Sequence, residues 1–302
     1  MLALETLSQL ADRYPNALRA RVSPMTLRGR TFDFESKPAI MGVVNLSPDS
    51  WYRESVCLST SRALDRARLI AAQGADIIDI GAESTLAQAA RVGDADQNRL
   101  LTPMISELSQ EGLLISVETY SPEVAALALK QGAAIINLTG SSDFEPIFKT
   151  VADHDAGVII CYVQGRNVRE VTDYQFGSDP IGASYDYFAR AVDTASRAGV
   201  TRMFIDPGLG FYYRNLQDSA TRVRHQMQVF LNTFRLRTLG QPICHALPHA
   251  FEFFGEEVRS AEAFFAVLAS LGKTDLFRTH EVPKVKAVLE TLQAWSADTP
   301  SA

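Results

Sequence analysis

The sequence lacks the features that would indicate a secreted, metal-clustered or membrane-spanning chain. Only three cysteines occur in 302 residues, at Cys57, Cys161 and Cys244. Their odd number and wide spacing predict neither a disulfide framework nor a zinc motif. No apolar run approaches the ~20 residues of a membrane span, so no membrane partner is predicted. The stretch "MLALETLSQLADRYPNALRAR" has no apolar core followed by a cleavage site and favours an amphipathic helix over a signal peptide. We predict a cytoplasmic protein.

Concentrated positive charge is also missing. The chain carries 29 Lys and Arg against 35 Asp and Glu, a net charge of −6, with both signs mixed along its length. A nucleic-acid-binding surface requires a basic patch or stripe. We therefore predict no nucleic-acid partner.

Short apolar runs recur along the whole chain, with helical stretches between them. Each run is continuous and rich in Ile and Val, which is typical of parallel strands covered on both faces. In order they are "IMGVVNL", "ADIIDIG", "LLISVETY", "AAIINLT", "GVIICYV", "RMFIDPG", "QPICHAL" and "TDLFRTH". Helix signals separate them, such as Ser121 as N-cap and Pro122 in the first turn of "SPEVAALALK".

About eight strand–helix units without an obvious linker predict an α/β protein with a (β/α)8 TIM barrel. The alternative, an open doubly wound sheet, lacks a G-x-G-x-x-G after the first strand. We predict an N-terminal helical extension over 1–35, the barrel over 36–292 and a tail over 293–302.

Polar residues end most of these apolar runs. In "IMGVVNLSPDSW", for example, the apolar run extends to Leu46, and the polar residues Asn45, Ser47 and Asp49 lie at its end. Active sites of barrels lie at the carboxyl ends of the strands, so these side chains are predicted to meet at one mouth. The positions are Asn45, Asp79, Glu83, Glu118, Asn137, Gln164, Asp206, Arg278 and His280. Asp79 is either an interior polar residue or part of the site, Glu83 either caps a loop or joins the site, and Gln164 is either a loop residue or a ligand.

Six of these segments resemble, in register, the pterin-binding family and specifically dihydropteroate synthase. They are "IMGVVNLSPDS", "GADIIDIGAEST", "ISVETYSPEVA", "IINLTG", "IDPGLGF" and "FRTHEV". The resemblance covers roughly residues 36 to 290. It implies an enzyme that joins a hydroxymethyl-dihydropterin diphosphate to the amine of 4-aminobenzoate and releases diphosphate.

The resemblance also implies roles for individual residues. Glu118, Asn137 and Asp206 are the predicted catalytic and pterin-binding groups, with Glu118 one methylene longer than the family's aspartate. Asn45 is predicted to hold Mg²⁺ with the diphosphate, and Arg278 and His280 to bind the anion. The other predicted substrate-binding residues are Asp49, Ser84, Thr85, Gln164, Phe211 and His249.

The sequence departs from the family pattern at three places, which makes 4-aminobenzoate an uncertain second substrate. The seventh-strand segment "CHALPHAFEFFG" has no lysine or arginine where the family has a Ser-Arg-Lys run. Leu86 replaces an arginine, and "GLGFYYRN" lacks the usual lysine. The candidates to supply the missing charge are His249, Arg91 and Arg214, or a charge on the second substrate itself. We expect little or no activity with 4-aminobenzoate, and a gain from Ala250→Lys.

Three functions remain open at this point. The first is a synthase, using 4-aminobenzoate or a bulkier arylamine as in methanopterin-type synthesis. The second is a non-catalytic paralogue that binds a pterin. The third is a pterin-dependent methyltransferase, which "NLSPDS" and "FRTHEV" disfavour because they are diphosphate-side features.

Other histidines and aromatic residues receive structural interpretations. His154 and His225 lie in helical stretches and are predicted at the surface, while His245 lies within a strand as an interior histidine. A cluster of phenylalanines in 251–265 either packs helices together or forms a dimer face. We expect a homodimer.

Overall fold

The computed structural model describes residues 2–47, 59–84, 89–141, 144–171, 173–211, 213–216 and 218–297. In these ranges the strands are β1 (Met25–Leu27), β2 (Arg30–Phe32), β3 (Ala39–Asn45), β4 (Ile77–Gly81), β5 (Ile115–Thr119), β6 (Ile135–Leu138), β7 (Gly157–Cys161), β8 (Arg202–Asp206), β9 (Cys244–Ala246) and β10 (Leu276–Thr279). The helices are α1 (Leu4–Arg13), α2 (Pro15–Leu18), α3 (Thr60–Ala72), α4 (Asp94–Gln110), α5 (Pro122–Lys130), α6 (Phe144–Asp153), α7 (Gly182–Arg197), α8 (Ser219–Asn232), α9 (Phe251–Phe254), α10 (Ala261–Leu271) and α11 (Val282–Ala297). Short 3₁₀ turns cover Arg214–Leu216, Thr233–Leu239 and Gly255–Ser260.

Strands β3 to β10 form one parallel sheet that curls into a barrel. The hydrogen-bonded order is β8-β7-β6-β5-β4-β3-β10-β9. The two ends of this order meet at a parallel bridge between Ile205 and Ile243, where the Ile205 amide donates to the Pro242 carbonyl at 3.1 Å. The prediction of a (β/α)8 barrel from eight apolar runs is confirmed, because each predicted run contains one strand of the sheet.

Alternation along each strand divides the core into two parts. Outward residues such as Ile78, Val117 and Ile136 are buried against the surrounding helices. Inward residues such as Ile135 and Phe204 fill the lower barrel. Side chains alternate between the two faces of each strand. The inward-facing side chains nearer the carboxyl ends of the strands are mostly polar.

The amino end of the barrel is covered by a hairpin of β1 and β2. Its two-residue turn places Arg28 at φ 46° and Gly29 at φ 81°, as a type I′ turn requires. Leu27, only 1% exposed, packs into the interior cluster. This hairpin closes the bottom of the barrel.

The N-terminal extension is helical at α1 and α2, as predicted, but the hairpin within it was not. Its three-residue strands are too short for a period-two pattern to stand out. At the other end α11 continues to Ala297, so the predicted tail from residue 293 begins inside a helix. Within the described residues, every helix is too short or too polar to span a bilayer.

Candidate active site

A cavity of about 170 Å³ opens at the carboxyl ends of the barrel strands. Ten predicted residues lie on its wall: Asn45, Glu83, Ser84, Glu118, Asn137, Asp206, Phe211, His249, Arg278 and His280. The parallel strands bring them together from widely separated parts of the chain. Their roles stay predictions, but their convergence is a property of the fold.

Arg278 lines the cavity with Glu118, Asn137 and Asp206, and these four strand residues form its floor. Arg278 donates from Nε to Asp79 Oδ2 at 2.7 Å and from Nη2 to Glu118 Oε2 at 2.5 Å. Burial would lower the pKa of Arg278, but these two carboxylates outweigh burial and raise the pKa above its usual value. Arg278 is therefore a permanent cation held in a fixed position.

Asp79, for which the sequence left two interpretations open, lies fully buried within the barrel next to this floor. It accepts from Ser116 Oγ at 2.6 Å and from Asn137 Nδ2 at 3.2 Å, in addition to Arg278. Asp79 is absent from the cavity wall. It orients Asn137 and Arg278 from behind.

Asn137 is held at both ends of its amide. Nδ2 donates to Asp79, and Oδ1 accepts from the thiol of Cys161 at 3.4 Å. Cys161 also lines the cavity, and burial raises the pKa of its thiol well above the usual value. The thiol is thus a small neutral group.

Glu118 is ionised less easily than an ordinary glutamate. Burial raises its pKa to about 7, because desolvation outweighs the favourable effect of Arg278, and the charges of Asp79 and Asp206 add to the rise. A carboxyl group with this pKa can hold or release a proton near neutral pH.

Asp206 ends β8 and is bound by the turn that follows. Its Oδ1 accepts from the Gly208 amide at 2.7 Å. Burial raises the pKa of Asp206 to about 6, although this amide and Arg278 favour the charged form. Gly208 has φ 76°, and a Cβ there would lie 2.2 Å from the Tyr162 carbonyl oxygen, so glycine is required.

A second set of charges on the wall comes from α8 and α9. Arg222 of α8 donates from Nη2 to Glu252 Oε2 at 2.8 Å, and both residues line the cavity with Phe211 and Phe251. Sequence reasoning missed this pair. Arg222 lies in a helix rather than at a strand end, and no motif marks it.

His280 and His249 form the remaining polar part of the wall. Their ring centroids are 5.5 Å apart. Behind them lies Glu262 of α10, fully buried and also missed from the sequence. Glu262 Oε1 is 2.8 Å from His280 Nδ1 and 3.9 Å from His249 Nδ1.

Some predicted residues are not brought to the cavity. Gln164 is absent from the wall, because its amide nitrogen donates to the Tyr162 hydroxyl and its amide oxygen accepts from the Gln175 backbone. It is a loop residue, so the prediction of substrate contact finds no support in the structure. Asp49 and Thr85, together with Leu86, lie outside the described residues.

The candidate replacements for the missing lysine fare differently. Arg91 bonds to the Tyr120 hydroxyl at 2.7 Å, close to Glu170, and is not on the wall. The side chain of Arg214 lies outside what the structure describes, and His249 is on the wall. Ala250 is fully buried in the hydrophobic core, so a lysine there would have to displace packed side chains, and the expected gain from Ala250→Lys stays a prediction.

Glu83 has the loop-capping contact that the sequence allowed. Its carboxylate accepts from the Val92 amide at 3.1 Å and from the Tyr120 hydroxyl at 2.6 Å. It also lies on the cavity wall. Both interpretations are therefore compatible with its position.

Two other histidines are buried. His245 accepts or donates at Nε2 to Thr233 Oγ1 at 2.8 Å, as expected of an interior histidine. His225 is only 8% exposed and packs on Tyr174, so its predicted surface position was wrong. Burial lowers the pKa of His225 to about 4 and that of His245 to about 3, which keeps both neutral.

Comparison with known proteins points in one direction. The family described as pterin binding enzymes matches residues 41–280. A dihydropteroate synthase of Synechocystis is 28% identical over 96% of this chain and 99% of its own length. The structure of Xanthomonas albilineans dihydropteroate synthase with 4-aminobenzoic acid matches with a TM-score of 0.76 at 27% identity, over 92% of this chain and 99% of that one. The same enzyme in complex with 7,8-dihydropteroate gives a TM-score of 0.75 at 25% identity, over 92% and 100% of the two chains.

Proposed function

The chain belongs to the pterin-binding enzyme family, and from this premise we propose that it is a transferase of dihydropteroate synthase type. It would join a dihydropterin diphosphate to an arylamine and release diphosphate. The observation that carries this proposal is the meeting of Glu118, Asn137, Asp206 and Arg278 at one cavity.

The floor of the cavity suits a pterin ring. The edge of a pterin carries amide-like donors and acceptors, which pair with carboxylate and amide side chains. Burial raises the pKa of Asp206, so a hydrogen-bond donor that binds this carboxylate has a large effect on its charge. Asp79 and Cys161 hold the amide of Asn137 in place. A ring that donates to Asp206 would stabilise the charged form of this carboxylate.

The charges of the floor suit the replacement of diphosphate by an amine at the pterin methylene carbon. The bond from the pterin methylene carbon to the diphosphate oxygen breaks, and the electron pair leaves with diphosphate. Positive charge develops on the methylene, next to the carboxylates of Glu118 and Asp206. The arylamine nitrogen then bonds to that carbon. We assign the proton that the amine loses to Glu118, whose pKa of about 7 allows it to accept one.

Diphosphate would lie against Asn45, Arg278 and His280. Asn45 lines the cavity and carries an amide oxygen, a donor type that Mg²⁺ accepts, and Mg²⁺ commonly takes one or two protein ligands and completes its shell with phosphate and water. The residues present therefore fit the ion. Bound there, Mg²⁺ would neutralise charge on the leaving diphosphate.

The second substrate is proposed to be an arylamine other than 4-aminobenzoate. The segment after β9 presents Pro248 and His249 to the cavity instead of a cation, and Arg222 is already paired with Glu252. A benzoate carboxylate near Glu252 would meet a like charge, unless Arg222 leaves that partner. An amine without this carboxylate avoids that repulsion.

The test is to measure diphosphate release from dihydropterin diphosphate with a series of arylamines, with and without Mg²⁺. We expect release with at least one amine and little with 4-aminobenzoate. Asp206→Asn is the inactive control. Turnover of 4-aminobenzoate as fast as any other amine would contradict the proposed substrate preference.

The second candidate function is a non-catalytic pterin-binding protein. The missing cation after β9 favours it. Pterin diphosphate binding without release for any amine would establish this alternative in place of the synthase.

A further inference from the structure

Glu262 is a fully buried carboxylate that has no place in the chemistry above. It lies in the first turn of α10 and is 0% exposed. Its Oε2 accepts from the Thr279 hydroxyl, from the His280 amide at 2.9 Å and from the Glu281 amide at 3.2 Å. These three donors hold the carboxylate in one orientation and leave Oε1 as the oxygen that meets other groups.

Two histidines lie next to this second oxygen. Glu262 Oε1 is 2.8 Å from His280 Nδ1 and 3.9 Å from His249 Nδ1. One ligand atom from each of the three residues lies within 4.8 Å of the other two. In the part of the chain that the structure describes, no other group of three histidine, cysteine or acidic side chains is close enough to share an ion.

The spacing of these atoms suits a tetrahedral ion. Zn²⁺ binds histidine nitrogen at about 2.0–2.1 Å and carboxylate oxygen at about 2.0–2.2 Å, so two ligand atoms of a tetrahedral site are about 3.4 Å apart. The two distances from Oε1 lie on either side of this value, and shifts of about 0.6 Å or less would equalise them. Two imidazoles and one carboxylate are also a ligand set that Zn²⁺ takes in proteins.

The buried charge of Glu262 needs a positive partner. Buried charges are normally paired or bound to a metal, because desolvation destabilises them. Among the described residues Glu262 forms ion pairs with His249 and His280 alone, and a histidine is charged only when it is protonated. A divalent cation bound by Oε1 and both imidazoles would compensate the carboxylate while the histidines stay neutral.

The arginines nearby are engaged elsewhere. Arg259 donates from Nε to Glu281 Oε1 at 2.5 Å, and Arg278 is paired with two carboxylates of the barrel. Arg66 of α3 donates to a backbone carbonyl at 3.3 Å. None of these guanidinium groups is the partner of Glu262, so the position beside Oε1 is left to the two imidazoles and an ion that they can bind.

We propose that Glu262, His249 and His280 form a binding site for a divalent transition-metal ion of the zinc type, with both histidines coordinating through Nδ1. Imidazole nitrogen suits Zn²⁺, whereas Mg²⁺ takes oxygen ligands, so this site is distinct from the magnesium position at Asn45. Nε2 of each imidazole would then carry the proton and remain a hydrogen-bond donor.

The place of the site in the fold gives the ion access to the cavity. His249 and His280 line the cavity wall, while Glu262 lies behind them, so the fourth ligand position is on the cavity side. The ion would also place positive charge beside segment 244–255, which contains no lysine or arginine. Its binding requires neither a pterin nor an amine and is independent of the proposed function.

The experiment is calorimetric titration of Zn²⁺ into the full chain after treatment with a chelator, with a competing chelator present to measure tight binding. Co²⁺ is the spectroscopic probe, because it absorbs visible light much more strongly with four ligands than with six. The variants are Glu262→Gln and His249→Gln. His154→Gln on α6 is the matched histidine control, and Cys57→Ser tests whether a thiol binds the ion instead.

We expect one Zn²⁺ per chain, which an excess of Mg²⁺ does not displace. Even residues that only support a metal ligand are worth about 10–100-fold in metal affinity, so loss of a ligand in Glu262→Gln or His249→Gln should weaken Zn²⁺ binding by about 100-fold or more. Both variants should lose the four-coordinate Co²⁺ spectrum. His154→Gln and Cys57→Ser should keep it.

Zn²⁺ binding that neither Glu262→Gln nor His249→Gln weakens would overturn the proposal, as would a six-coordinate Co²⁺ spectrum. Loss of binding in Cys57→Ser would also overturn it, because a thiol would then hold the ion. If Glu262→Gln does not fold, His249→Gln decides the test, since its side chain lies at the cavity wall. Zn²⁺ bound as expected, with no diphosphate release for any amine, would leave this site standing and remove the proposed function.

Discussion

The ionisable residues at the barrel mouth differ in how far burial shifts their pKa from its usual value. Arg278 stays charged because two carboxylates contact it, while Glu118 and Asp206 share that one guanidinium with Asp79 and lose solvation. The mouth therefore holds more acids than it has cations to compensate. A ligand that donates hydrogen bonds or carries developing positive charge relieves this imbalance.

Asp206→Asn should remove pterin binding with little loss of stability. The amide keeps the size of the side chain but loses the charge-assisted hydrogen bonds, which are worth about 1.5–3 kcal/mol each. We expect pterin affinity to fall about 100-fold in a fluorescence titration, with the unfolding midpoint nearly unchanged.

The matched control is Asp275→Asn. Asp275 is also buried, with a pKa raised to about 7, but it accepts from the Ile243 amide at the amino end of the barrel. Its replacement should change stability and leave pterin affinity unchanged. Equal loss of pterin affinity in the two variants would show that Asp206 acts through the fold.

Glu118 should make stability depend on pH. Its pKa is raised to about 7, so its contribution is fully present below the unfolded pKa and is lost as pH rises through 7. Relative to the wild type, Glu118→Gln should gain up to about 3 kcal/mol of unfolding free energy between pH 4.5 and 8. Urea denaturation at the two pH values measures this.

The control for Glu118 is Glu123→Gln, an exposed carboxylate at the start of α5. It should change stability by a similar small amount at both pH values. If the stability of Glu118→Gln relative to the wild type is the same at pH 4.5 and pH 8, burial does not raise the pKa of Glu118.

Among the structural elements, the hairpin of β1 and β2 contributes to the barrel without touching the site. Leu27 is inserted into the interior cluster with Met25, Phe32 and Phe34, and Phe34 meets Phe204 edge to face at 5.7 Å. Arg202 at the start of β8 donates to the Thr26 carbonyl. The hairpin is thus tied to the barrel by both packing and a hydrogen bond.

Leu27→Ala should destabilise the protein without affecting ligands. Removing a fully buried leucine leaves a cavity and costs about 2–5 kcal/mol, which a shift in the urea midpoint would show. Pterin affinity of the folded protein should be unchanged. Thr26→Ala, on the exposed face of the same strand, should cost less than about 1 kcal/mol. Similar costs for both variants would mean that the hairpin does not seal the barrel.

On the surface of the molecule, apolar side chains are exposed around α9 and α10. Phe253 is 60% exposed, Phe264 44% and Leu271 49%. Exposed apolar surface of this kind is found at protein interfaces. This agrees with the dimer-face interpretation of the phenylalanine cluster, and the homodimer stays a prediction.

Phe264→Arg should convert the expected dimer into a monomer, because a charge buried at an apolar interface has no partner. Light scattering after size-exclusion chromatography gives the mass directly. Phe176→Arg is the matched control, since Phe176 is similarly exposed but lies on the loop before α7. A monomeric wild type, or a dimer that survives Phe264→Arg, would refute this interface.

The sequence by itself determined the barrel and the residues at its strand ends. Each apolar run is a local pattern, and the polar residue near its end marks the carboxyl end of a strand without knowledge of any partner strand. Because parallel strands end at the same edge, Asn45, Asn137, Asp206 and Arg278 were predicted to meet, and they do. Motifs in register added the family.

Only the tertiary structure decided which groups surround those residues. Glu262 and Arg222 lie in helices, where a charged residue usually indicates an exposed face, and only the packing of α8 and α10 against the barrel brings them to the site. The same holds for burial. Ala250 and His225 are unremarkable in sequence, yet neighbours distant in the chain enclose them. Long-range packing also causes the desolvation that raises the pKa of Glu118, so the residues next to it in the sequence do not predict this pKa.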